Sequence, residues 1–179
     1  MTTDVPHLGI DHAADLALAV AAYRCDPLGI IRALRQGALV DVASGNGFTP
    51  LMWVAFRSAV GFDPLVSARW LLAAGAEVNR IGSRPPATAL TLACEMLHAP
   101  LVDHLLRHGA DPNPPQRVDS PLHDALPSVE IIELLIRAGA DRLRRYKGQT
   151  ALERYREIWV EPGHGNTARD RAMIRLLGG

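Results

Sequence analysis

His104 and His108 lie four residues apart in a stretch that reads as helix, with His98 close by. That spacing puts two imidazoles on one face, where a third ligand would complete a zinc site. The pattern stops short of one, because no HExxH glutamate accompanies the pair and no acidic third ligand is placed. Ser120, His123 and Asp124 are the residue types of a hydrolase triad, yet neighbours at the start of one helix cannot act together as nucleophile, base and orienter. GNG at Gly45 to Gly47 precedes a helix but lacks the lysine and spacing of a phosphate-binding loop, so it reads as a hairpin tip. Arg142, Arg144, Arg145 and Lys147 surround Tyr146 in RLRRYKG, the only basic patch interleaved with an aromatic. A phosphate or RNA contact fits it; a solvated hairpin, or a surface for an acidic protein partner, fits it better.

Composition narrows these options. A chain of 179 residues supports one domain or one stack and is too short for two ordinary enzymatic domains. Lys plus Arg and Asp plus Glu are both 19, so the formal net charge is zero and no overall field draws the protein to nucleic acid or an anionic membrane. The two cysteines, Cys25 and Cys94, show no CxxC or ligand spacing and read as reduced thiols of a cytoplasmic protein; Cys25, beside Asp26 and Pro27, is expected to be exposed. The first residues, MTTDVPHLGIDH, lack the charged and apolar regions of a secretory leader, and the longest apolar run is far below bilayer-spanning length. Lys147 is the only lysine among the 19 basic residues, which with the richness in Ala, Arg and Gly suggests a bacterial genome.

The elements that must position any site announce themselves by repetition. LLAAGAEVN at Leu71 to Asn79 returns as LLRHGADPN at Leu105 to Asn113 and as LLIRAGAD at Leu134 to Asp141, with a weaker copy ending at Gly37 and Ala38. The glycines Gly37, Gly75, Gly109 and Gly139 are 38, 34 and 30 residues apart. A period in that range means units too small to bury their own apolar face, stacked so that each covers its neighbour. Each phrase is the end of an amphipathic helix, closed by a glycine that adopts the left-handed conformation without a Cβ clash. A second signature precedes each: FTPLMWVA at Phe48, ATALTLA at Ala87, DSPLHDA at Asp119 and QTALERY at Gln149. Thr49, Thr88, Ser120 and Thr150 are placed to cap a first helix, with Pro50 and Pro121 at positions that need no N–H donor.

These coupled signatures resemble the ankyrin repeat, with its TPLHxA start, two antiparallel helices and GADVN turn; Ser120 to Ala125 is the nearest match. Thr88 to Gly109 spans the 21 residues the family expects, Thr49 to Gly75 spans 26, and Ser120 to Gly139 spans 19. The resemblance implies an all-α solenoid of about five stacked helix-turn-helix units joined by β-hairpin loops, with degenerate terminal caps. Its bounds are an N-terminal arm over 1–13 and one domain over 14–179, with repeats at about 14–43, 44–81, 82–115, 116–145 and 146–179. Insertions are placed at Phe56 to Pro64 and Glu157 to Asn166. In this register Cys94 takes a small-residue position inside a first helix and is expected to be buried, and His98 falls where the family also has histidine. Trp53 and Trp70 are expected to fill gaps between helices.

The resemblance further implies a protein that is not an enzyme, needs no cofactor or metal, and binds one protein partner through a concave face built from hairpin tips and first helices. The hairpin residues in that position are Asn46, Phe48, Arg84, Arg117, Asp119, Tyr146, Lys147 and Gln149, all expected to project; the first helices add Tyr23, Phe56 and Glu95. Tyr23, Phe56, Arg84 and Tyr146 are the anchor candidates, because aromatic rings and arginine bury much area at small entropic cost. A cytoplasmic bacterial inhibitor or immunity-type protein, monomeric when unbound and without a membrane partner, is the specific form of this reading. The rivals are a metal-dependent or hydrolytic enzyme using the histidines, and a nucleic-acid binder using Arg142 to Lys147.

Overall fold

The computed structural model describes residues 9–10, 12–57, 64–160 and 167–178. Residues 1–8 and 11 of the expected arm, and 58–63 and 161–166 of the two expected insertions, lie outside them. Ten helices run in order among the described residues: α1 (Ala13–Tyr23), α2 (Pro27–Arg35), α3 (Pro50–Phe56), α4 (Pro64–Ala73), α5 (Ala89–Glu95), α6 (Ala99–Arg107), α7 (Pro121–Asp124), α8 (Val129–Arg137), α9 (Ala151–Trp159) and α10 (Ala168–Gly178). Odd-numbered helices contact one another in sequence, α1 on α3, α3 on α5, α5 on α7 and α7 on α9, and the even-numbered helices do the same. The result is two parallel layers, a first-helix layer and a second-helix layer.

Local chemistry sets the helix ends. Thr49, Thr88 and Thr150 each accept a backbone N–H three residues on, and Thr88 and Thr150 complete reciprocal capping boxes with Thr91 and Glu153. Ser120 differs from expectation: its side chain makes no capping bond at the start of α7. His98, by contrast, caps α6 by accepting the Leu101 N–H on Nδ1 at 3.1 Å. Gly37, Gly75, Gly109 and Gly139 all adopt φ between +83° and +91°. The alanine after each donates to the carbonyl five residues back, as from Ala110 to Leu105 at 3.0 Å, which closes the second helices as Schellman motifs.

The core is one continuous cluster from Leu18 in α1 to Leu177 in α10. Leu51 and Met52, Leu90, Leu101 and Leu105, and Ile131 and Ile132 are fully buried within it, so each unit covers its neighbours as a stack requires. A polar ladder on the turns adds to this. Asn79 Nδ2 donates to the Gly109 carbonyl and its Oδ1 accepts the Asp111 N–H, and Asn113 repeats both bonds with Gly139 and Asp141. Asp41, at the equivalent place in the first unit, keeps only the accepting half, from the Glu77 N–H. At the far end Tyr155, buried in α9, donates to Asp170 at 2.7 Å, fastening α10.

The connections are tight turns rather than the β-hairpins expected: among the described residues no strand forms, and one isolated bridge pairs Tyr146 with Gln149. Two side chains also sit differently from the sequence reading. Cys25 is buried, with its thiol 3.8 Å from the Val54 carbonyl, and Trp70 is 47% exposed on the second-helix layer rather than filling a gap.

Candidate functional site

The first-helix layer and the turns leading into it present two chemically distinct ends. At the N-terminal end Tyr23 from α1 meets Trp53 from α3 edge-on, with ring centroids 5.4 Å apart. Trp53 also lies 6.2 Å from Phe56 and 5.1 Å from Phe48. Its indole N–H donates to the Ser44 hydroxyl at 3.3 Å, which satisfies the one polar atom of the ring. The Arg57 guanidinium stands 4.6 Å over the Tyr23 ring. Phe56 remains 38% exposed beside this cluster.

Phe48 corrects the expectation that it projects. It is 3% exposed because Gly82 of the next unit leaves it room: a Cβ at Gly82 would come within 2.9 Å of Phe48 Cδ1. Asn46 is half-buried and knits its turn, Oδ1 accepting from the Ser44 hydroxyl and the Phe48 N–H. Arg84, Glu95 and Arg117 are exposed, and Tyr23 is half-buried.

At the C-terminal end, Asp119, Tyr146, Lys147 and Gln149 come together. The Tyr146 hydroxyl donates to Asp119, and Lys147 Nζ lies 4.8 Å from the Tyr146 ring centroid. Gln149 donates to Glu157 at 2.7 Å, and its backbone carbonyl faces His123 Nε2 at 3.0 Å. Since a carbonyl only accepts, Nε2 carries the proton and Nδ1 is left a bare acceptor. These residues surround an open cavity of about 380 Å³ lined by His123, Asp124, Tyr146, Lys147, Gln149 and Arg154. Burial, reinforced by the nearby charges of Asp119 and Glu95, pushes the Asp124 carboxyl up to about 7, against a smaller opposing effect of Lys147. Burial holds the His123 imidazole below its ordinary range, so it is neutral at physiological pH.

Asp124 and Arg154 escaped the sequence reading as binding residues. Both stand four residues after a cap position, as do Trp53 and Leu92, and that shared register was the signal available.

The remaining chemical candidates do not assemble into a reaction centre. His104 and His108 stack at 4.2 Å between centroids, but no group of three or more metal-ligating side chains forms among the described residues. Ser120 is buried and His123 turns its Nε2 to Gln149, so that ring nitrogen faces a backbone carbonyl and not a nucleophile. Burial, and secondarily Asp124, push the Cys94 thiol well up, away from thiolate. In the basic run Arg145 is engaged by Glu153 and the Gly148 carbonyl.

An ankyrin-repeat family model matches residues 87–116. Residues 87–116 are an ankyrin repeat. The matched segment carries α5 and α6, the unit whose 21-residue spacing is regular. Ankyrin repeats are generally non-enzymatic modules of protein–protein interaction. No described helix is long and apolar enough to cross a membrane.

Proposed function

We propose that this protein is a non-catalytic binding module in which residues 14–179 form one repeat domain and the first-helix face receives a single protein partner. The observation that carries the reading is the uncovered chemistry of that face: an aromatic cluster with Phe56 exposed at one end and a cavity ringed by ionisable side chains at the other. Large rings and arginines are the side chains that concentrate binding energy, and here Phe56 offers one from the end of α3, Arg84 from the α4–α5 connection and Tyr146 from the α8–α9 connection. Tyr23, Asn46, Glu95, Arg117, Asp119, Lys147 and Gln149 complete the contact set. Phe48 acts only by supporting the cluster from beneath.

The specific role we propose is a cytoplasmic bacterial protein, monomeric when free, that occludes a toxin or enzyme in the manner of an inhibitor or immunity protein. A stack that binds through its first-helix face acts by occupancy. The test is to recover the stoichiometric partner from the native host and repeat the capture with Phe56→Ala plus Arg84→Ala. Arg84 is exposed and Phe56 is 38% exposed while packing on Trp53 and Phe48, so the unfolding temperature should fall by only a few degrees with the fold intact while affinity falls by ten-fold or more. Undiminished capture by the folded double variant would place the partner elsewhere.

A further inference from the structure

The cavity between α7 and α9 shows which partner chemistry it lacks. Its two cationic lining residues are already engaged: Arg154 with Glu157 at 3.4 Å and Lys147 with the Tyr146 ring. Gln149 is taken by Glu157 through its side chain and by the Tyr146 N–H through its carbonyl. The Asp124 carboxylate, by contrast, has no hydrogen bond and no ion pair with any described residue. His123 Nδ1, in the ring beside it, is buried without a donor. Both of these unmet groups in the lining are acceptors, and the neighbouring Glu95 adds a further carboxylate without an ion pair to any described residue; the Arg144 guanidinium, whose charge reaches His123, keeps Nε and Nη2 buried without a partner but lies outside the lining. Tyr146 and His123, edge to face at 5.5 Å, supply aromatic surface of the kind on which a planar cation packs.

Building on the partner-binding reading of this face, we propose that the cavity is a subsite for an arginine side chain of the protein partner. The guanidinium pairs with Asp124 and lies against the Tyr146 ring, with Glu95 and Asp119 extending the negative wall. A flat, five-donor group meets both the charge and the donor shortage, whereas an anion would face Asp124 directly.

Engagement is linked to protons. The groups facing Asp124 are Asp119 from the turn before its own helix, Glu95 and Cys94 from the preceding unit, and Lys147 from the following turn, with His123 and Arg154 completing the lining and Arg144 acting on His123. Asp124 titrates at about 7 in the free protein, so a cation finds it mostly protonated at pH 6 and mostly ionised at pH 8. Protonation of His123 at acid pH acts in the same direction.

The probe is N-acetyl-arginine methylamide, followed by NMR at the Tyr146 and His123 rings and the Gln149 amide of the full chain. N-acetyl-norleucine methylamide and inorganic phosphate serve as controls. Saturable shifts are expected with the arginine probe alone, about tenfold weaker at pH 6 than at pH 8, and lost by tenfold or more in Asp124→Asn. Equal shifts with norleucine or phosphate, no pH dependence, or unchanged binding by a folded Asp124→Asn would each overturn the proposal. If Phe56→Ala with Arg84→Ala impairs partner capture while Asp124→Asn does not, the arginine subsite falls and the binding face stands.

Discussion

Asp124→Asn should make this protein more stable, by an amount that grows as pH rises from about 4 to about 7. The folded state holds the Asp124 proton far more tightly than the unfolded chain does, the carboxyl titrating at about 7 instead of 3.8. The sign follows directly: below about pH 4 the group is largely protonated in both states and contributes nothing. As pH rises toward 7 the unfolded chain ionises freely while the fold must either keep the proton or bury a charge, so stability falls; above 7 the loss is complete. The interval corresponds to about 4 kcal/mol at about 1.4 kcal/mol per pH unit. Solvent reaching a carboxyl that lines an open cavity roughly halves this, to about 2 kcal/mol. Asparagine keeps the volume, removes the charge and sacrifices no hydrogen bond, since Asp124 makes none with a described residue. Urea unfolding of both proteins from pH 4.5 to 8 should give a difference that is small at the acid end and grows to about 2 kcal/mol in favour of the variant, or about 4–8 °C in Tm. His123 titrates in both proteins and largely cancels. A difference that is flat with pH, or a variant less stable at pH 7.5, would refute the electrostatic account of the cavity.

Two further outcomes follow from the stack itself. Asp41→Asn should stabilise by about 0.5–1 kcal/mol, because the amide gains the donor that Asn79 and Asn113 direct to the next unit's glycine carbonyl and removes a carboxylate from the C-terminal end of α4; urea midpoints at constant m-value read this out, and a destabilised variant would break the ladder argument. Neither Cys25 nor Cys94, both buried, should react with a thiol reagent at pH 8 until the chain unfolds; a native-state thiol titre above zero would show that the stack opens locally or that one side chain is misplaced.

The architecture was legible because its signals are local. A glycine after a run such as LLRH predicts a left-handed residue, and Gly109 has φ +83°; a threonine before ALTLA predicts a cap, and Thr88 accepts the Thr91 N–H. The site was only half legible because its decisive features arise between units. Phe48 looks like a projecting tip residue in its own repeat, and only the hole left by Gly82, 34 residues later, buries it. Cys25 stands beside a turn in sequence, yet the adjacent unit supplies Val54 to cover it. Trp70 is expected to fill a gap between helices, but Ala73 and Ala74 beside it leave a shallow surface groove with Ile31 and Leu34 in which the indole stays partly outside. Periodicity likewise predicts that Asp124 and Arg154 share a register without revealing that a cavity opens between their helices.

That shared register organises the face. Four residues past the cap, successive units place Trp53, Leu92, Asp124 and Arg154: Trp53 and Leu92 are buried and hold the layer together, whereas Asp124 and Arg154 line the cavity. Neighbouring helices pack about 8–10 Å apart, which separates the aromatic end from the acidic cavity by about 20 Å, beyond the range at which substitutions normally couple. Because each unit touches only its neighbours, the two ends contribute to binding as nearly independent terms. The aromatic end supplies buried area with little dependence on pH or salt. The cavity supplies charge selection that strengthens as Asp124 ionises. A partner matched only to the first would be held without discrimination, and one matched only to the second would be selected but held weakly; a segment carrying an apolar side chain and an arginine about 20 Å apart satisfies both. The repeat is therefore the means by which an aromatic end and an acidic cavity are held in fixed order and become a directional binding surface.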